Sequence, residues 1–249
     1  MKRYLAYELG LREKEAQEYD AYRPEYQQIQ EWKILRSHLE PKPKDLVLDA
    51  GCGTGIFSLD LQRAGCRVVA LDFCQAFAEI TCRRCNSDNV EVVIGDVTNL
   101  PLQNEKFDLV LCSGVLGQLV DEADFRKALT DLARVTKPGG RLVITTYNYH
   151  LIDRIRRTKK RLCFDGRINY VRYSQKQLRD LVSRCLGDGF RVETFGILNL
   201  RRPPGIWIWN RFPPLRTALL KWDLTLERHG VARLLAYLNL LAIERRGKR

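Results

Sequence analysis

Val47-Leu48-Asp49-Ala50-Gly51-Cys52-Gly53-Thr54-Gly55 decides how this chain is read. A short apolar run ends in an acid, and three glycines follow at alternate positions. Glycine lets a ligand approach the main chain closely. The pattern predicts a strand, a loop and a helix starting near Gly55. The first backbone N–H groups of that helix, which have no intrahelical partner, then face the same space as the glycines. Such a loop is a nucleotide-type pocket, and its spacing narrows the ligand. A dinucleotide fingerprint reads G-x-G-x-x-G and seats a pyrophosphate on the helix N-terminus. Here the third glycine is one residue closer, and Asp49 precedes the turn. That carboxylate repels a pyrophosphate and suits a cation.

Two further acids extend the pattern. Asp72 closes the apolar strand Val68-Val69-Ala70-Leu71, where an acid suits a ribose diol. Asp96, in Gly95-Asp96-Val97, follows a third strand, Val92-Val93-Ile94. Turn formation or helix capping is the competing reading of both acids.

On these residues the chain resembles the class I methyltransferases that use S-adenosylmethionine. The match runs through the loop from Asp49 to Gly55, then Asp72, Asp96, Phe107-Asp108-Leu109-Val110 and Lys137-Pro138-Gly139-Gly140, in family order. The resemblance implies that Gly51, Cys52, Gly53 and Gly55, with Asp49, hold the methionine end of the cofactor. It implies that Asp72 holds the ribose with Phe73 beside it, that Asp96 and Val97 frame the adenine, and that Ser113 is a further contact. Tyr19, in Glu18-Tyr19-Asp20, resembles a tyrosine that closes over the cofactor in related enzymes; packing on a helix is its other reading.

The implied fold is α/β: a Rossmann-like, doubly wound, seven-stranded and mostly parallel sheet with helices on both faces. Its last strand is antiparallel and lies between the fifth and sixth. Strands are predicted at 45–50, 67–72, 90–94, 107–113, 140–147 and 190–198, with a last one at 236–244. Helices are predicted near 55–64, 75–84 and 121–136. Alternation of this kind gives crossover connections, and ligands bind beyond the carboxyl ends of the strands. The first 40 residues read as two helices, Glu13 to Tyr22 and one from Pro24 to Leu39. Ser174 and Gln177 predict a capping box opening a later helix. The predicted layout is an N-terminal helical cap over 1–44, the cofactor-binding core over 45–149, and 150–249 as the rest of the same domain. That last part carries a basic segment, 148–173, and a Trp-rich insertion, 199–235, in which Leu215, Ala218, Leu219, Trp222 and Leu226 form an apolar stripe.

Methyl transfer from a sulfonium is an in-line displacement, so aligning donor and acceptor and excluding water is the main task. A base is needed only when the acceptor must lose a proton. In quinone-type O-methyltransferases, which the chain broadly resembles, the block after the fourth strand commonly holds glutamates and a histidine. Here Cys112-Ser113-Gly114-Val115-Leu116-Gly117-Gln118-Leu119 puts Gly114, Gly117 and Gln118 in their place. Gln118 remains able to orient a substrate. His150, just past the fifth strand, is the candidate base, because histidine titrates near neutrality. His38 and His229 read as structural. Cys82 and Cys85 have metal-ligand spacing, but no second pair accompanies them, so no metal is expected.

The 249 residues carry a net charge of +12. Residues 150–249 hold 23 Lys+Arg against 8 Asp+Glu, a net +15, while the first 149 are at −3. Such asymmetry suits phosphates, anionic lipid heads or nucleic acid, or else a solvated surface. The N-terminus has no signal-peptide apolar region, and the run from Leu234 to Ile243 is too short to span a bilayer. The expectation is a cytoplasmic protein, with contact to a membrane surface or RNA through basic residues 154–249 left open. The leading expectation is methyl transfer to a small-molecule, lipid-like or quinone-like acceptor. An RNA or protein methyltransferase and a non-enzymatic cofactor-binding protein are the alternatives. Two features weigh against amino- and pyrimidine-methylating nucleic-acid enzymes: that block has neither an Asn/Asp-Pro-Pro-Tyr run nor a Pro-Cys pair.

Overall fold

The apolar runs alternate with helices, so successive strands are joined by crossovers and lie parallel. The strands are β1 (Leu46–Ala50), β2 (Arg67–Asp72), β3 (Val90–Ile94), β4 (Phe107–Ser113), β5 (Thr136–Tyr147), β6 (Arg161–Phe164), β7 (Ile168–Val171), β8 (Phe190–Ile197) and β9 (Leu238–Arg245). The helices are α1 (Glu25–Leu39), α2 (Ile56–Arg63), α3 (Gln75–Cys85), α4 (Glu122–Val135) and α5 (Gln175–Leu186). This computed structural model describes residues 9–14, 16–22, 25–149, 153, 155, 161–164, 168–197, 211 and 238–247.

Seven strands form one sheet in the order β3-β2-β1-β4-β5-β9-β8. β9 runs antiparallel to both of its neighbours, as expected of the last strand. Alternate side chains go to opposite faces. Leu48, Val69, Leu71, Val110 and Ile144 pack with Phe125, Leu129, Leu178 and Leu181 from α4 and α5. Val47, Val68, Ala70, Leu111 and Val143 pack with Leu35, Phe57 and Leu61 from α1 and α2. Burial on both faces is why these strands read as continuous apolar runs rather than alternating ones.

The Phe107–Val110 and Lys137–Gly140 blocks meet at the amino end of the sheet, away from the ligand end. Asp108 accepts the Leu46 N–H at 2.9 Å and pairs with the Lys137 ammonium at 2.6 Å. Burial pushes its carboxyl up, but these partners outweigh it and hold the group below the usual carboxylate range. These blocks therefore brace β1, β4 and β5 against one another.

Three features differ from expectation or extend it. β5 begins at Thr136, not at 140, and α4 stops at Val135. Lys137 to Gly140 is the bulged start of the strand, with a register shift between Phe107 and Leu109 on β4. A Cβ on Gly140 would stand 2.7 Å from the Asp108 carbonyl, so only glycine fits that approach. The N-terminal segment is helical over 9–14 and forms a 3-10 turn at Tyr19–Tyr22, instead of one helix from Glu13 to Tyr22. The Asp20 side chain bonds outside the segment, to Thr54 and Arg84, which competes with a regular helix there. The basic segment contains the antiparallel ribbon β6–β7, which the sequence did not announce. The Ser174–Gln177 capping box is present. The apolar stripe and the tryptophans of 199–235 lie outside the described residues.

Candidate functional site

The glycine loop sits where β1 leaves the sheet between β2 and β4, the point from which the strand order runs outward in both directions. A crevice opens at the carboxyl ends of the strands there. The Gly51 and Cys52 N–H groups bond the Leu71 carbonyl at 2.7 and 3.0 Å, which turns the chain across the end of β2. Gly51 has φ +77°, and a Cβ there would stand 2.2 Å from a Val115 methyl. Gly53, at φ +56°, is the opposite case: a Cβ would meet nothing within 4 Å. The loop is thus packed on one side and open at its centre, where a ligand can approach the backbone. α2 begins directly behind it, with Gly55 as an N-cap lacking a side-chain cap, so its first N–H groups remain for a ligand or water.

Asp72 is nearly buried at the end of β2. Its two carboxylate oxygens accept the Gly53 N–H at 2.8 Å and the Cys74 N–H at 3.0 Å. Burial raises its pKa; the backbone bonds and the nearby Arg12 charge offset part of that. The Phe73 N–H bonds the carboxylate as well, and the acceptor capacity that is left suits a ligand hydroxyl. Asp49 lies beneath the loop and accepts the Ser58 hydroxyl at 2.6 Å. Burial, with the Asp72 charge adding, raises its pKa to about 6. Asp96 makes the turn that was its competing reading, taking the Thr98 N–H at 2.8 Å, while Val97 is buried beside it. Phe73 is half-buried between Asp72 and Cys74. The Ser113 hydroxyl bonds the Thr145 hydroxyl at 2.9 Å at the ends of β4 and β5. Cys52 faces Thr81 at 3.7 Å, and burial pushes its thiol well up, so it is no thiolate.

Gln118 lies in the 3-10 turn Leu116–Gln118 beyond β4. Its amide donates to the Gly114 carbonyl at 2.9 Å, and its Oε1 accepts from Arg12 at 3.0 Å. Tyr19 lies edge-on to Phe77 of α3 at 5.0 Å, with the Arg12 guanidinium 5.5 Å from its ring. It packs on a helix, and it does so beside the carboxyl end of β2. His150 lies outside the described residues. The His38 ring stacks on Phe195 at 4.1 Å, and its carbonyl meets Arg141 at the amino end of the sheet. Among the described residues no three His, Cys, Asp or Glu gather as a metal site.

Three groups at the site went unmarked in the sequence. Arg12 is buried although it stands in a charged run, and only its contacts give it away. Tyr147, at the end of β5, meets Tyr170 of β7 edge-on at 4.6 Å. Arg84 bonds both the Thr54 carbonyl and Asp20, and Asp20 accepts the Thr54 hydroxyl at 2.6 Å. The N-terminal segment is thereby fastened to the glycine loop.

A methyltransferase-domain family model matches residues 48–144. The demethylmenaquinone methyltransferase of Clavibacter sepedonicus is 37% identical over 128 residues, 51% of this chain and 51% of that protein. The chain therefore matches about half the length of such relatives. Among solved structures, an S-adenosylmethionine-dependent methyltransferase of Thermotoga maritima aligns over 95% of this chain and 99% of its own, with TM-score 0.65 and 20% identity. The [4+2]-cyclase SpnF aligns over 87% of this chain and 80% of its own, with TM-score 0.63 and 17% identity. At such identities the structural likeness shows the fold alone. Motif order, sheet topology and the matched domain agree: residues 48–144 are similar to a methyltransferase domain, and the chain has a Rossmann-like methyltransferase fold.

Proposed function

We propose that this chain transfers a methyl group from S-adenosylmethionine to a small, quinone-like acceptor. One observation carries the donor half: Asp72 is bonded directly to the open centre of the glycine loop through the Gly53 N–H at 2.8 Å. One carboxylate thus orders the loop and faces the same crevice. In this reading Asp72 accepts the ribose hydroxyls, the loop N–H groups and the buried Asp49 charge receive the methionine end, and Asp96, Val97 and Phe73 border the adenine. S-adenosylmethionine, when bound, supplies an electrophilic methyl carbon on a sulfonium. The chain's own part is to align an acceptor with that carbon and keep water out.

The acceptor half is supported by the place left for it. Beyond β4 and β5 stand Gln118, Tyr147 and Tyr170, the two rings meeting edge-on at 4.6 Å. Aromatic side chains with one polar amide beside them suit a flat ring. Half of the chain is similar to demethylmenaquinone methyltransferases, which points the same way. A lipid-tailed acceptor would come from a membrane surface, and the basic half of the chain suits anionic headgroups there. No helix among the described residues is long and apolar enough to cross a membrane.

Incubation of the chain with methyl-labelled S-adenosylmethionine and a fractionated cell extract tests the reading. Label is expected in the lipid and small-molecule fractions. Label confined to RNA or protein would sink it and favour a macromolecular substrate.

A further inference from the structure

Thr81 stands inside α3, in Glu79-Ile80-Thr81-Cys82, and is fully buried. A threonine within a helix commonly turns its hydroxyl back to a carbonyl of that helix. This one leaves its helix. The hydroxyl donates to the Gly53 carbonyl at 2.9 Å, across 28 residues of chain. The Cys52 thiol lies 3.7 Å from the same oxygen. A Cβ on Gly55 would stand 2.7 Å from the Thr81 methyl and 2.8 Å from its hydroxyl, so α3 comes as close to the loop as glycine permits. One buried side chain thus meets the glycine loop at three of its residues.

The centre of the loop is the part that needs holding. Gly53 lies at φ +56°, and a Cβ on it would meet nothing within 4 Å, so side-chain packing does not fix its shape. Glycine moves among several backbone conformations at little cost. Hydrogen bonds pin this one on both sides instead: its N–H is held by Asp72 at 2.8 Å and its carbonyl by Thr81. The neighbouring residues are tied as well. The Cys52 N–H bonds the Leu71 carbonyl at 3.0 Å, and the Thr54 carbonyl accepts from Arg84 at 2.7 Å. Without the Thr81 hydroxyl, the peptide joining Gly53 to Thr54 would lose the hydroxyl bond on its carbonyl and could turn at the glycine. A ligand that docks on one orientation binds in proportion to the share of molecules that hold it.

We propose that Thr81 is a positioning residue for the cofactor: its hydroxyl holds the Gly53–Thr54 peptide in the orientation on which S-adenosylmethionine docks. The inference rests on the donor half of the reading above. Thr81 is fully covered, so it acts through the loop and not by touching the ligand. Its bond and the Asp72 bond meet at Gly53. The carboxylate assigned to the ribose and the helix that follows it are thereby joined through one glycine, and the crevice takes its shape before the ligand arrives. Preorganisation of this kind raises affinity without adding a contact. Valine has nearly the shape of threonine and lacks the hydroxyl, whereas serine keeps the hydroxyl and lacks the methyl. The two substitutions separate the hydrogen bond from the packing.

Titration calorimetry of the full chain with S-adenosylhomocysteine tests the assignment, together with amide hydrogen exchange over residues 51–55 in the free protein. Thr81→Val should weaken binding about three- to tenfold, the worth of one hydrogen bond, and should quicken exchange in the loop. Thr81→Ser should bind within about twofold of the wild type, because the hydrogen bond survives. If Thr81→Val fails to fold, Thr81→Ala removes the hydroxyl without setting a second methyl against the Gly53 carbonyl, and the same loss is expected of it. A packing role alone would penalise serine, which gives up the methyl beside Gly55. Thr81→Ser binding as weakly as Thr81→Val therefore overturns the assignment. A weakened Thr81→Val whose exchange matches the wild type overturns it too, since the loop would not have loosened. Equal affinity in the wild type and Thr81→Val defeats this inference alone, whereas no binding by the wild type defeats the donor reading and this inference with it.

Discussion

Asp49 is a buried carboxylate that accepts the Ser58 hydroxyl at 2.6 Å. Burial raises its pKa from 3.8 to about 6. The folded state therefore holds this proton more tightly than the unfolded chain. The linkage is unfavourable: stability is greatest below about pH 4 and falls as pH rises toward about 6. At pH 7 the ionised group costs on the order of 3 kcal/mol. Asp49→Asn keeps an acceptor for Ser58 and removes the charge. Its urea midpoint should exceed the wild type's above pH 6, and the gap should close near pH 4. A gap independent of pH would show that the titration lies elsewhere. A destabilising acid is tolerable here if it meets a cationic ligand, which is the role proposed for it.

At the scale of elements, the N-terminal segment behaves as a strap. Its 3-10 turn at Tyr19–Tyr22 holds Asp20 against Thr54 in the glycine loop and Arg84 in α3. These side chains are only partly exposed, so the pair is stronger than a free surface salt bridge. Asp20→Ala should release the strap. Hydrogen exchange over residues 9–22 should quicken, and S-adenosylhomocysteine affinity should fall severalfold, because Tyr19 stands beside the carboxyl end of β2 through the same segment. Unchanged exchange would mean that the Tyr19–Phe77 packing alone holds it. Asp20 stands in the quoted Glu18-Tyr19-Asp20 motif, yet no local pattern reveals its partners, which lie 34 and 64 residues away.

Across the whole molecule, the late β9 closes a sheet begun almost two hundred residues earlier. Arg245, on that strand, donates to the Thr136 carbonyl at 2.6 Å and the Ala133 carbonyl at 3.3 Å, and pairs with Glu105 at 2.6 Å. It caps the carbonyl end of α4 with a positive charge. Arg245→Ala should lower stability by about 2 kcal/mol in urea denaturation, since hydrogen bonds to a charged group contribute about 1.5–3 kcal/mol. Cofactor affinity should hardly change, because these contacts lie at the amino end of the sheet. A loss of affinity equal to the loss of stability would show that the two ends of the sheet are coupled.

Local chemistry by itself determined much of this protein. The alternation of apolar runs and helices, the glycine loop after Asp49, the acid closing β2 and the Ser174 capping box are all written in neighbouring residues, and each forms where its pattern puts it. The first residues of β5 look like a turn in the sequence, and the approach of Asp108 to Gly140 makes them a bulged strand. The tertiary structure alone decided which remote groups meet. Asp72 reaches the Gly53 N–H, Asp20 reaches Thr54 and Arg84, and Arg12 is buried against Gln118, 106 residues away. Burial and long-range pairing depend on where strands and helices come to lie. A charge in a charged run looks like any solvated charge until the fold covers it.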